Sequence, residues 1–102
     1  MDDIDDLRQR IDGIDDELLR LFNERARLAL EIGKRKKTLG LPVHVPRREE
    51  EILIRVQREN PGPLPPTSIT RLYERLIEES KRLEENNADV VARSDSSDAS
   101  AS

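Results

Sequence analysis

The chain has 102 residues, 34% of them hydrophobic and 39% charged, with one Phe, one Tyr and no Trp. So few apolar residues in so short a chain give little material for a private core, and we expect a core shared between copies. A net charge of −4, from 22 acids and 18 bases, argues against a general nucleic-acid or membrane-surface binder, and the absence of cysteine excludes disulfides and thiolate metal sites.

The N-terminus, Met1-Asp2-Asp3-Ile4-Asp5-Asp6, lacks the basic-then-apolar order of a signal peptide, and no apolar run approaches membrane-spanning length. We expect a cytoplasmic protein. From Ile4, apolar residues fall at Leu7, Ile11, Ile14, Leu18 and Leu21, then at Leu28 and Ile32. This is a heptad seam, which predicts one long helix from about Ile4 to about Thr38, ending before Gly40. Acids at its start and Lys34 to Lys37 at its end complement the helix dipole. Gly13 and Gly33 inside it weaken the helix or mark close packing.

A loop follows, with Gly40, Pro42 and Pro46, and a second helix is expected from about Arg47 to Arg58. The Pro-rich segment from Asn60 to Pro66 is a stiff connection. Thr67 or Ser68 is the expected cap of a third helix, which carries Ile69, Leu72, Tyr73, Leu76, Ile77 and Leu83 and runs to about Glu85. Residues 1–87 then form one domain, and the Ser/Asp-rich stretch 88–102 is a disordered tail.

Polar residues interrupt the apolar face of each helix. Arg25 occupies a seam position between Leu21 and Leu28. A guanidinium there is costly to bury without an anion; alone it reads as a snorkelling side chain or a register device. Lys36 lies eleven residues on, about 20° away in azimuth and on the same face. Glu49, with Arg48 beside it, precedes Ile52 and Leu53 on the stripe of the second helix, and Ser80 and Glu84 extend the stripe of the third. Singly these read as helix-end charges or solvated neighbours. Together they converge in one pocket with three bases (Arg25, Lys36, Arg48) against two acids (Glu49, Glu84). His44 is a loop histidine without an evident role. Arg8 lies 17 residues before Arg25, about 25 Å along the axis, and reaches the pocket only from a second, antiparallel copy of the first helix.

These residues resemble a known family. Leu7-Arg8-Gln9-Arg10-Ile11-Asp12, Asn23-Glu24-Arg25, Glu31-Ile32-Gly33-Lys34 and Lys36 are similar to the first helix of the all-helical (type II) chorismate mutases. Pro42-Val43 with Arg48-Glu49, and Ile69-Thr70-Arg71-Leu72-Tyr73 with Ile77-Glu78 and Ser80, are similar to their second and third helices. The resemblance implies an all-α, intertwined antiparallel homodimer that isomerises chorismate to prephenate on the route to phenylalanine and tyrosine. It implies that Arg25 and Arg8 of the partner chain bind the substrate carboxylates. Lys36 would meet a carboxylate and the ether oxygen, Glu49 the ring hydroxyl, and Glu84 the ether oxygen opposite Lys36, with Arg48 and Ser80 in support.

An intramolecular rearrangement needs no nucleophile, metal or cofactor. Two positions depart from the family pattern. Val45 stands where many members carry an acid, and Glu84 stands where members carry Gln or Glu. An ionised Glu cannot donate a hydrogen bond; burial raises its pKa and Lys36 lowers it, and the structure sets the balance. We expect activity to rise as pH falls below neutral. Two other readings stay open at this point: an isochorismate pyruvate-lyase with the same cations, and a non-catalytic helical dimerisation or regulatory module.

Overall fold

Three helices follow one another in the computed structural model, which describes residues 3–92: α1 (Ile4–Leu39), α2 (Pro46–Glu59) and α3 (Pro66–Ala92). Among the described residues there is no strand, and no helix is long and apolar enough to cross a membrane. Asp3 caps α1 by accepting from the Asp6 N–H at 2.8 Å. Gly40 ends the helix in the left-handed conformation at φ 72°. Its N–H and that of Leu41 donate to the carbonyls of Lys37 and Lys36, at 3.2 and 2.8 Å, in a Schellman motif that satisfies the last turn. The chain therefore reverses at Gly40, one turn after Lys36.

Pro46 opens α2, where its missing N–H costs nothing. Val45 precedes it and offers no side-chain cap. The connection to α3 is pinned by Asn60, whose Oδ1 accepts from the Gly62 N–H and whose Nδ2 donates to the Leu64 carbonyl. α3 begins at Pro66, so Thr67 and Ser68 lie inside the first turn and neither is the cap. Instead, the Pro65 carbonyl accepts from the N–H groups of Ser68 and Ile69. α3 also continues past Glu85 to Ala92, because no Pro or Gly follows Glu85 to stop it. The remainder of the expected tail, 93–102, lies outside the described residues.

α3 packs against both α1 and α2, which do not pack on each other. A hydrogen bond from Gln57 Nε2 to Thr70 Oγ1 (2.6 Å) ties α2 to α3. The Cα trace measures 55 × 36 × 15 Å, and the short dimension is little more than one helix diameter of about 10–12 Å. The radius of gyration is 17.4 Å, against about 13 Å for a compact domain of this length. One layer of helices has no second layer to bury its apolar face against. Among the described hydrophobic residues only Ala29, Ile52 and Ile77 are buried, and the seam residues Ile4, Leu7, Ile11, Ile14, Leu18 and Leu21 are 40–66% exposed.

Candidate active site

The three buried residues mark the floor of a cavity of about 540 Å³ at the junction of α1, α3 and the start of α2. Its apolar wall includes Leu28, Ala29, Ile32, Ile52 and Ile77. Six expected residues reach it within one chain: Arg25, Lys36, Arg48, Glu49, Ser80 and Glu84. Arg8 does not. It sits near the far end of α1, exposed, 4.0 Å from Asp5.

Helical periodicity places each group. Arg25 comes one turn before Ala29 on the face of α1 that meets α3, and its Nη1 donates to Ser80 Oγ at 2.7 Å. Lys36 stands in the last turn of α1, and its Nζ donates to the Val43 carbonyl at 2.9 Å. The reversal at Gly40 thus returns the loop over the ammonium. Lys36 Nζ also lies 3.8 Å from Glu84 Oε2, and both side chains are largely buried.

Gly33 explains how Glu84 comes so near α1. A Cβ on Gly33 would lie 3.1 Å from Glu84 Cγ and 3.3 Å from its Cβ. No atom lies within 4 Å of the corresponding point on Gly13, so of the two interior glycines Gly33 marks the close packing. Glu84 Oε2 is buried and has no hydrogen-bond partner among the described residues. A buried oxygen left without a partner is costlier still when it carries charge. Burial holds the Glu84 pKa above its ordinary 4.5; neighbouring Lys36 opposes this and Glu85 adds to it. Desolvation therefore wins the balance that sequence alone leaves open.

Arg48 lines the rim, largely exposed and 3.7 Å from Glu51 Oε1. Glu49 is held differently. Its Oε2 lies 3.3 Å from His44 Nε2 and 3.5 Å from Lys81 Nζ. His44, without an evident partner in the sequence, has one in the fold. Lys81 is a cavity residue that sequence reasoning missed, although it follows Ile77 by four and so lies on the α3 stripe. Val43 and Val45 complete the lining from the loop, where no periodicity announces them. With Lys81 included, the cavity holds four bases against two acids. Such a site suits a small dianion with an apolar body.

The fold and cavity define a single-layer helical protein with a cationic pocket. Comparison with known proteins makes this specific: the chain belongs to the type II chorismate mutase family, whose model matches residues 7–85. It is 42% identical over 88 residues to a bifunctional chorismate mutase/prephenate dehydratase of Aquifex aeolicus, covering 82% of this chain and 24% of that protein. It is 32% identical over 87 residues to a chorismate mutase of Methanocaldococcus jannaschii, covering 78% of this chain and 81% of that protein. A solved structure of chorismate mutase (form II) from Thermus thermophilus superposes with a TM-score of 0.79 at 45% identity, covering 80% of this chain and 93% of that one. The chain spans about a quarter of the length of the bifunctional relative.

Proposed function

We propose that this chain converts chorismate to prephenate as a cytoplasmic antiparallel homodimer in which Arg8 of the partner chain completes each cavity. In this rearrangement the ether C–O bond breaks while a C–C bond forms within the same molecule, and no atom leaves. The protein must fold the enolpyruvyl arm over the ring, a near-attack geometry, and stabilise negative charge growing on the ether oxygen.

The observation that carries the proposal is the buried pair of Lys36 and Glu84, 3.8 Å apart and facing one cavity. That separation is too long for a hydrogen bond between them. An oxygen about 2.8 Å from each fits at the apex of a triangle on this base. With Glu84 protonated, both groups donate to it. Arg25, oriented by Ser80, clamps one carboxylate, and Arg8 of the partner chain takes the other. Glu49 accepts from the ring hydroxyl, and Arg48 adds positive charge at the rim. The open single layer and its exposed seam support the dimer.

The test is chorismate consumption with chromatography of the product. Prephenate supports the proposal. Turnover of isochorismate with release of pyruvate, and none of chorismate, would replace it with the lyase, and no turnover of either substrate by a folded dimer would leave the non-catalytic module.

A further inference from the structure

We infer that Lys81, with His44, is a positioning residue that fixes the Glu49 carboxylate and thereby sets which end of the substrate enters the Glu49 side of the cavity. This rests on the reaction proposed above and adds two residues to it. Both contacts to Glu49 fall on the same oxygen, Oε2, from opposite elements: His44 Nε2 from the loop before α2 at 3.3 Å, and Lys81 Nζ from α3 at 3.5 Å. Neither uses Oε1. A glutamate has three free torsions and loses considerable entropy when held. Two contacts from opposite sides restrain those torsions before substrate arrives, and a carboxylate with about four lone-pair sites can still accept a hydroxyl.

The surroundings leave this task to Lys81 and His44. Arg48, the nearest cation in sequence, turns to Glu51. The Val45 side chain, at the N-terminus of α2, has no oxygen to share the hydroxyl. Lys81 is itself steadied by Glu78, 3.7 Å from its Nζ. The arrangement also sorts charge. Lys81 offsets the charge of Glu49, while among the described residues Arg25 has the neutral Ser80 hydroxyl as its side-chain partner. A substrate with carboxylates at one end and a neutral hydroxyl at the other is thereby oriented.

The test is steady-state kinetics on the full chain with chorismate, for Lys81→Met, Lys81→Arg and His44→Ala, and for Lys81→Met in a Glu49→Gln background. We expect Lys81→Met to raise KM about tenfold, a coupling typical of residues in direct contact, with kcat changed by less than about threefold. Lys81→Arg restores most of the loss. His44→Ala, at an exposed histidine, raises KM by about threefold. In the Glu49→Gln background Lys81→Met has no further effect, because its action runs through Glu49. If Lys81→Met loses its helical circular dichroism, Lys81→Gln is read in its place. An unchanged KM in Lys81→Met, beside an active wild type, overturns this inference alone. An equal rise with and without Glu49 also overturns it, since Lys81 would then meet the substrate directly. A wild type that leaves chorismate untouched removes the proposed reaction and this inference with it.

Discussion

Gly33→Ala separates helix stability from the placement of Glu84. Alanine is the better helix former by about 0.8–1.0 kcal/mol, and Gly33 lies well inside α1. The added Cβ would lie 3.1 Å from Glu84 Cγ, whereas carbon atoms pack best at about 3.5–4.0 Å. The Glu84 side chain, or α3 with it, must therefore retreat by roughly half an ångström. In the proposed reaction, the donor facing the ether oxygen moves with it. Misplacement by about 1 Å can cost a hundredfold in rate, so we expect kcat to fall about tenfold, or about 1.4 kcal/mol in activation free energy. The propensity gain and the packing strain oppose each other, and Tm should stay within a few degrees of wild type. Gly13→Ala, where nothing in the same chain comes within 4 Å of the added Cβ, is the comparison: without a clash inside its own chain, it should raise Tm. The assay pairs chorismate kinetics with thermal melts followed by circular dichroism. A Gly33→Ala protein with raised Tm and wild-type kcat would refute the reasoning, for Glu84 would then need no close approach to α1.

Glu84→Gln should flatten the pH–rate profile. In the wild type kcat falls as pH rises through the elevated Glu84 pKa, approaching tenfold per unit, and a wild-type profile flat from acid to neutral pH would contradict this. The same shift has a stability sign. The folded pKa lies above the unfolded one, so Glu84 stabilises the fold fully below about pH 4.5 and that contribution is lost as pH rises through the folded value. Urea titrations across this window should show Glu84→Gln gaining on the wild type toward neutral pH. Arg25→Ala removes the partner of Ser80 and, in the proposed complex, of a substrate carboxylate; kcat/KM should drop about 10²–10³-fold with the proposed dimer intact by size exclusion, and retained activity would refute the assignment. For the proposed dimer, Tm should fall on dilution, and Ile11→Glu on the exposed seam should give inactive monomer.

The heptad spacing from Ile4 to Ile32 located α1 to within a residue, because period and length are local properties. The polar interruptions at Arg25, Lys36, Glu49, Ser80 and Glu84 also announced the cavity, since each broke an otherwise apolar stripe. Lys81 was missed for the opposite reason: a lysine beside Glu78, Glu79 and Arg82 looks like solvated surface until α2 brings Glu49 to it. His44 and Val43 sit in a loop, where the Gly40 reversal decides what faces Lys36 and Glu49. The start of α3 was misplaced because Thr67 and Ser68 have the chemistry of caps, yet Pro66 already has the helical φ and needs no donor.

α1 also acts as a ruler. Arg8 and Arg25 are separated along it by a count of residues, about 1.5 Å each, with no hinge inside its 36 residues to absorb an error. Inserting one residue between them would turn Arg8 by about 100° relative to Arg25 and move it off its side of the rod. Inserting seven would nearly restore the face and lengthen the reach by about 10 Å. With Arg8 in its proposed role, this stretch should tolerate substitution but not a change of length. Changes of length should be absorbed instead by the two connections, residues 40–45 and 60–65, and the spacing between the arginines is a property on which length variants can be sorted before any are assayed.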